Sequence, residues 1–216
     1  MTDPLVTDPL TLEGRFVRLS PLGPEHVDAL MAAATEDRSS YGLTRVPHDR
    51  PTTVSYIEAA VEAREAGRQL TFATWSIDAG KVVGSSRFSR VEVWDWSLCG
   101  EHGAGRQRHG RPDVVEIGGT WLAASAQRTP VNTESKLLLL AHAFETWEVH
   151  AVMLCTDRRN TRSRRAIERL GCTFDGVLRS DRPGADGTVR DSAHFSLLAE
   201  EWPAVKQRLS DRLAAG

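Results

Sequence analysis

The sequence predicts an α/β protein of the α+β kind, with one mixed, mostly antiparallel sheet of about seven strands and helices on both of its faces. Seven stretches rich in apolar and β-branched residues lie between turn-forming residues, and five stretches carry apolar residues at helical spacing. Two strand, turn and helix units follow one another in the second half of the chain. A helical crossover returns the chain in the same direction, so one pair of strands is predicted to be parallel.

Length and composition favour a single globular domain. The chain has 216 residues, 40% hydrophobic and 26% charged, and its net charge of −2 predicts no bulk attraction to nucleic acid or membranes. We expect a flexible leader at 1–10 and one domain at 11–216. No signal peptide or membrane span is recognisable, which favours a cytoplasmic protein. The three cysteines form no CxxC pair, and Cys155 is expected to be a small, buried core residue.

The first half of the chain predicts one strand, two helices and a hairpin. Residues 15–22 alternate as a strand should, and Pro24 opens a helix. A second helix is expected from roughly Thr53 to Ala66, with Gly67 as its stop. The hairpin strands, joined by the turn sequence DAG, lie at 70–77 and 81–94.

The second half carries the two strand, turn and helix units. The first is a strand at 116–122 and a helix whose apolar face comprises Leu137, Leu140, Ala141, Phe144 and Trp147. The second is a strand at 150–156 and a helix from Thr161 to the stop at Gly171. A hairpin with its turn at 183–187 and a last helix near Glu200 complete the chain; the hairpin strands lie at 173–179 and 189–198.

Residues 95–113 predict a long, flexible loop between two strands. Its GEHGAG sequence resembles a phosphate-binding loop, but no helix follows it, so we interpret it as a false match. The potential metal ligands in the loop match no known spacing, and no metal is expected; they are Cys99, Glu101, His102 and His109. Trp94 and Trp96 at the base of the loop are able to pack either on a substrate or on the core.

The turn between the strand at 116–122 and the following helix is the strongest functional candidate. A helix start leaves its first backbone amides unpaired at the positive end of the helix dipole, which favours phosphate binding. An ordinary connection, with Asn132 or Thr133 as the N-cap, fits the same residues.

Five segments together give the chain a resemblance to a known family. They are LEGRFVRLSPL, KVVGSSRF, EIGGTWL, NTESKLLLLAHAFE and TDRRNTRSRRAIERLGCTFDGVLR. From residue 11 to 212 the chain resembles the GNAT superfamily of N-acyltransferases, in its RimJ/RimL branch. The resemblance implies the GNAT fold, with a sheet that splays open between its fourth and fifth predicted strands, 116–122 and 150–156. It also implies acetyl-CoA as co-substrate, a protein N-terminal α-amine as acceptor, and a homodimer.

The resemblance also implies the residues that bind the coenzyme. Its pyrophosphate would lie on the turn, and its pantetheine arm along the splayed strand and beside Asn160. The family pattern has glycine at the position of Pro130 and glycine or alanine at Asn132, and these departures are expected to weaken binding because proline has no N–H and asparagine has a side chain. Adjacent Gly118 and Gly119 permit a β-bulge beside the ligand. The implied binding residues are Thr120, Trp121, Leu122, Gln127, Arg128, Thr129, Val131, Asn132, Thr133 and Asn160.

The acyl transfer requires a base and a proton donor. Glu116, at the start of the splayed strand, is the candidate base, although a carboxylate there also pairs readily with an arginine. Ser163 matches the family's serine near the thioester sulfur. Ile167 stands where many members have an acidic tyrosine, so Ser163 or water must reprotonate the thiolate. Asn160 and Ser163 would equally serve as the N-cap and N3 residues of their helix.

Six arginines surround the start of the second helix: Arg158, Arg159, Arg162, Arg164, Arg165 and Arg169. We expect one or two to meet the 3′-phosphate of the coenzyme or the ribosome, and the others to be solvated charge. Two functions remain open. The first is an acetyl-CoA-dependent N-acetyltransferase that acts on a protein N-terminus or a small-molecule amine. The second is a non-catalytic binding or dimerisation module, favoured by Pro130, Asn132 and Ile167.

Overall fold

The computed structural model describes residues 10–103, 105–106 and 110–215. Its eight strands form one sheet in the order β1-β2-β3-β4-β5-β6-β8-β7. The strands are β1 (Leu12–Glu13), β2 (Val17–Pro21), β3 (Leu70–Ser76), β4 (Lys81–Glu92), β5 (Val114–Leu122), β6 (Ala151–Asp157), β7 (Thr173–Pro183) and β8 (Val189–Leu198). The mixed, mostly antiparallel sheet is confirmed, with one more strand than predicted because β1 has only two residues and too little pattern to detect.

Five α-helices connect or follow the strands. They are α1 (Val27–Thr35), α2 (Arg50–Glu65), α3 (Pro130–Ala141), α4 (Thr161–Leu170) and α5 (Trp202–Ala214). A 3₁₀ turn at Pro24–His26 leads into α1, and a π-helical turn at His142–Thr146 extends α3. No described helix combines the length and apolar composition needed to cross a membrane.

The parallel pair is β5 and β6, and it opens after three residues. The two strands are paired at Val114 with Ala151, Val115 with Val152 and Glu116 with Met153. Beyond this point β5 stays paired with β4, and β6 with β8. The predicted splay is therefore present, and one edge of β5 from Ile117 onward has no neighbouring strand.

Neighbouring serines in β4 show that helices cover both faces of the sheet. Ser85 accepts a hydrogen bond from Tyr56 of α2 at 3.2 Å, whereas Ser86 accepts one from Lys136 of α3 at 3.2 Å. Successive side chains of a strand point to opposite faces. Glu116 pairs with Ser89, which lies on the same face as Ser85, so Glu116 is on the α2 side of the sheet.

The core lies between α3 and the sheet and is centred on aromatic side chains. Phe88 of β4 is fully buried and its ring lies 4.7 Å from that of Trp147. The predicted apolar face of α3 was only partly right. Leu140, Phe144 and Trp147 are buried, whereas Leu137 and Ala141 are half-buried and pack against the edge of the core.

A carboxylate of α3 holds the first strands in place. Glu134 is buried and accepts hydrogen bonds from the backbone amides of Arg15, Phe16 and Val17 at 2.6–2.8 Å. A Cβ on Gly14 would lie 2.4 Å from the Glu134 carboxyl carbon, so glycine is needed there for the close approach. The sequence pattern gave no sign of this contact.

One predicted helix boundary was wrong. Helix α2 begins at Arg50 rather than near Thr53, because Asp49 is its N-cap and Pro51 lies in its first turn, where proline is tolerated. The segment 95–113 contains 3₁₀ turns at Trp96–Gly103, with a kink at Gly100. The predicted leader, apart from Leu10, and His109 lie outside the described residues.

Candidate functional site

The turn from β5 to α3 ends one residue before Pro130. Thr129 is the N-cap of α3, three or four residues before the alternatives that the sequence offered, Asn132 and Thr133, and its side chain accepts from the Val131 amide at a long 3.4 Å. Pro130 therefore occupies the first helical position, where a missing N–H costs nothing. The helix tolerates this, but its start offers a ligand one amide fewer, because the first N–H groups of a helix are the ones that have no partner within it.

Several amides of this turn are free to bind a ligand. Within the part of the chain that the structure describes, the backbone N–H groups of Arg128, Thr129 and Asn132 have no acceptor. They lie at the positive end of a helix of 12 residues. Arg128 has φ 62°, a left-handed conformation that costs a non-glycine residue free energy and is concentrated at functional sites. We call the segment 127–133 the open turn.

Gln127 shapes the open turn from within the protein. Its amide donates to the carbonyl of Ala124, and its side-chain nitrogen donates to the Leu122 carbonyl and to Ser40. Its side-chain oxygen accepts from Arg162 of α4 at 3.2 Å. Because these groups are already bonded, Gln127 holds the turn between three segments and has no free donor for a ligand.

A bulge in β5 lies beside the splay. Between the pairs Ser85–Trp121 and Arg87–Gly118, one residue of β4, Ser86, faces two of β5, Gly119 and Thr120, so the bulge predicted from Gly118 and Gly119 is present. Gly119 has φ 59°, and a Cβ there would lie 2.8 Å from the Arg87 Nε. Both facts require glycine at this position.

The backbone direction decides which β5 amides face the splay. The Ala123 amide donates to Val83 of β4 at 2.7 Å. Amides alternate between the two sides of a strand, so that of Trp121 also points to β4 while that of Leu122 points into the splay. Of the predicted backbone donors, Leu122 is therefore placed to bind a ligand through its amide and Trp121 is not. Thr120 lies in the bulge, and its side chain bonds to Ser86 and Lys136.

Glu116 lies at the point where β5 and β6 separate. Its side chain is 5% exposed, and no hydrogen-bond partner lies near its Oε2 within the described chain. Arg90 Nη1 is 3.8 Å away, beyond hydrogen-bond distance. Cys155 Sγ lies 3.6 Å from Oε1. The prediction of Cys155 as a buried core residue was wrong: it is half-buried beside Glu116, and burial raises the pKa of its thiol.

The start of α4 lies across the splay from the open turn. Asn160 is its N-cap, and the Oδ1 atom accepts from the Ser163 amide at 3.0 Å. The Asn160 Nδ2 and the Ser163 hydroxyl have no partner within the described chain, so both can still reach a ligand. Ile167 is 6% exposed and belongs to the core, which excludes it from proton transfer.

A buried lysine, missed by the sequence analysis, supports the bulge from the other face. Lys136 Nζ contacts Thr120 Oγ1 at 2.5 Å and Ser86 Oγ at 3.2 Å. Burial lowers the pKa of Lys136 to about 7, with no carboxylate beside it within the described residues. The local sequence pattern could not reveal it, since TESK resembles a solvated first turn.

Most of the arginines around α4 are used by the protein. Arg158 pairs with Asp191, and Arg159 with Asp157 and Asp186. Within the described chain, Arg165 and Arg169 have no ionic partner, which leaves them for a ligand or solvent.

Further from the splay, Trp94 and Trp96 pack on His150, and both donate to Asp113. The described residues contain no group of three or more potential metal ligands.

An unpaired strand edge that ends at an open helix start can hold an extended ligand that carries a phosphate group. Comparison with known proteins gives the family. A model described as acetyltransferase (GNAT) domain matches residues 17–173, and the chain belongs to this family of N-acetyltransferases.

Similar proteins agree with this family. A putative ribosomal N-acetyltransferase, YdaF of Bacillus subtilis, is 32% identical over 117 residues, which cover 53% of this chain and 61% of that protein. The chain thus spans less than two thirds of this curated relative. A GCN5-related N-acetyltransferase from Brucella melitensis has 29% identity and a TM-score of 0.78, over 95% of this chain and 86% of that one. RimJ of Mycobacterium smegmatis, solved with CoA-disulfide, has 21% identity, 95% and 96% coverage and a TM-score of 0.75, which indicates the fold alone.

Proposed function

We propose that this protein transfers an acetyl group from acetyl-CoA to a primary amine, the α-amine of a protein N-terminus, by direct attack in a ternary complex. The observation that carries the proposal is the splay between β5 and β6, with the open turn at its end. The naming of YdaF as a putative ribosomal N-acetyltransferase supports a protein acceptor. A cytoplasmic location and a homodimer remain predictions.

The residues present fit the coenzyme. The free amides of Arg128, Thr129 and Asn132 would hold its pyrophosphate, with Val131 and Thr133 in the same helical turn. The Leu122 amide would bond to the pantetheine arm along β5, beside the side chain of Thr120 and the ring of Trp121. The Asn160 Nδ2 would reach the arm from the α4 side of the splay.

Acetyl-CoA supplies an activated thioester carbonyl. The attacking amine must be neutral, and since an α-amine has a pKa near ~8, modest assistance from a base suffices at neutral pH. Glu116 Oε2, which has an ion pair with Arg90 but no hydrogen-bond donor within the described chain, would accept the proton that the amine loses. The Ser163 hydroxyl would return a proton to the departing thiolate, directly or through water.

One argument for the non-catalytic alternative is the amide donor that Pro130 lacks at the helix start. Within the described chain, the free amides of Arg128, Thr129 and Asn132 argue against it. Ile167 changes the route of the last proton transfer without closing the site. Among catalytic alternatives, a small-molecule amine would use the same coenzyme groups, so only acceptor experiments separate it from a protein N-terminus.

The proposal is tested by measuring CoA release and acetylated product with a panel of N-terminal peptides and small amines. We expect a mass increase of one acetyl group at the α-amine, and a loss of at least about a hundredfold in kcat for Glu116→Gln. A peptide blocked at its amino terminus is the negative control. The absence of acetylation of every acceptor, in a protein that is stabilised by CoA, would overturn the catalytic proposal.

A further inference from the structure

A cavity lies next to the proposed site, on the same face of the sheet as Glu116. It has a volume of about 560 Å³ and lies between the segment that joins α1 to α2 and the tip of the β7–β8 hairpin. Tyr56 lines it and bonds to Ser85, which places the cavity on the α2 side. Arg38, Arg45 and His48 also line the cavity, and none of its described lining residues is Asp or Glu.

A short path connects this cavity with Glu116. At the cavity, Arg45 Nη2 donates to the carbonyl of Pro183 at 3.0 Å. One residue pair further along the hairpin, Arg182 faces Arg190. Arg190 Nη2 lies 3.6 Å from Cys155 Sγ, which in turn lies 3.6 Å from Glu116 Oε1. The Arg190 guanidinium is therefore within about 7 Å of the proposed base.

Some arginines near this path pair with a carboxylate of the protein, and others do not. Asp181 pairs with Arg182, and Asp157 is bound by Arg159 through two nitrogens. Within the described chain, no carboxylate lies within 4 Å of Arg190 or Arg45. Arg190 is half-buried, and its bonds are to Ser192 Oγ and Cys155 Sγ. A partly buried cation without an anionic partner favours an anion supplied by a ligand.

We propose that the acceptor is a peptide with an acidic second residue, whose carboxylate binds Arg190 while the amino terminus lies at Glu116. An extended residue spans about 3.3–3.6 Å, so two residues cover the distance between these groups. The following residues then pass Arg45 and enter the cavity, whose size suits a peptide rather than a single amino acid. The proposal rests on the proposed acetyl transfer and adds the substrate class.

The test compares matched peptides that begin Ser-Asp, Ser-Asn or Ser-Lys and are otherwise identical and uncharged, with free aspartate as a fourth acceptor. The full-length protein is used, and kcat/KM is measured from CoA release and checked by mass spectrometry. We expect kcat/KM for the Asp peptide to exceed that for the Asn peptide by at least about tenfold and that for the Lys peptide by more, since hydrogen bonds between charged groups are stronger than those to a neutral amide.

Two variants connect this preference to the arginines. Arg190→Gln is expected to lower kcat/KM for the Asp peptide to the value for the Asn peptide, and the exposed Arg45→Gln to lower it about threefold. Arg212→Gln, on the exposed side of α5, is the control and should keep the preference. Equal rates for the Asp and Asn peptides, or a preference for Lys or for free aspartate, would overturn the inference and leave the acetyl transfer intact. If no acceptor is acetylated, both proposals fail.

Discussion

The turns from β5 to α3 and from β6 to α4 each lead from a strand into a helix, and they differ in what their backbone amides bind. At the β6–α4 turn most amides donate to the protein itself: Arg158 to Asp191, Arg159 and Asn160 to Asp157, Thr161 to Arg159, and Ser163 to Asn160. At the open turn, three amides have no acceptor within the described chain. A helix start is thus available to an anion only where its amides are left without acceptors.

The strands before the two turns differ in the same way. β5 carries a bulge and loses its parallel neighbour after Glu116, whereas β6 keeps a continuous register with β8. Because the bulge and the open turn occur in the same unit, we assign the proposed coenzyme site to that unit. Near the turn of the β6–α4 unit, the groups without a partner within the described chain include the Asn160 Nδ2 and the Ser163 hydroxyl.

The largest loss of CoA affinity is expected when a side chain of the protein accepts hydrogen bonds from the free amides of the open turn. Thr129→Asp places a carboxylate at the N-cap of α3, where it stabilises the helix but competes with the pyrophosphate for the amides. We expect CoA affinity to fall about a hundredfold, on the order of 3 kcal/mol, with no loss of stability. Isothermal titration calorimetry measures the affinity.

The control for this change is Thr161→Asp, which adds the same charge to the first turn of α4. Since the amides there are already bound, we expect CoA affinity to change by no more than about threefold. Equal losses in the two variants would show that the turns do not differ as described.

The role of the bulge is tested by comparing alanine substitutions at two glycines that have the same φ angle, Gly119 in the bulge and Gly80 outside it. Gly119→Ala and Gly80→Ala each put a side chain at φ 59°, but only the Cβ at 119 meets another atom within 4 Å, Arg87 Nε. We expect both to lose about 1 kcal/mol for the left-handed conformation, and Gly119→Ala about 1–2 kcal/mol more, together with a roughly tenfold rise in the KM for acetyl-CoA. Urea unfolding and steady-state kinetics measure the two quantities, and matching results at both positions would refute a role for the bulge.

Lys136, which is buried on α3, makes the free energy of unfolding depend on pH. Burial lowers its pKa from 10.5 to about 7, so between these values the unfolded chain binds more protons than the folded protein. The free energy of unfolding should therefore rise with pH from 7 to 10, by up to about 1.4 kcal/mol per pH unit, and stay flat below 7 with respect to this group. Lys136→Met should remove the rise, whereas Lys206→Met, at an exposed ion pair with Glu145, should keep it. A slope that survives in Lys136→Met would contradict the buried amine.

The smallest effects on CoA binding are expected at Asn160, the N-cap of α4. Asn160→Ala removes the bond to the Ser163 amide and should cost about 1 kcal/mol of stability. Asn160→Asp keeps that acceptor and loses only the Nδ2 donor. We expect both variants to weaken CoA binding a few fold, and only Asn160→Ala to lower the melting temperature. If Asn160→Asp binds CoA normally, Asn160 is a cap and nothing more.

The sequence predicted what depends on local pattern. Strand periodicity, the hairpin turns and the crossover were enough for the mixed sheet and its parallel pair, and the resemblance located the splay. The start of α3 was missed because Thr129 and Pro130 were weighed against a glycine pattern rather than as an N-cap and a first helical residue. The closeness of Cys155 to Glu116 and the burial of Lys136 depend on partners far along the chain, which spacing alone does not encode.

The carboxylate of Glu134 gives this architecture an order of assembly. The loop that enters β2 is synthesised early, but its three amides have no acceptor until a residue more than a hundred positions later has emerged and α3 has docked. Such distant pairings form late in folding. We therefore expect the backbone at 15–17 to become fixed only once the helix that carries the open turn has docked.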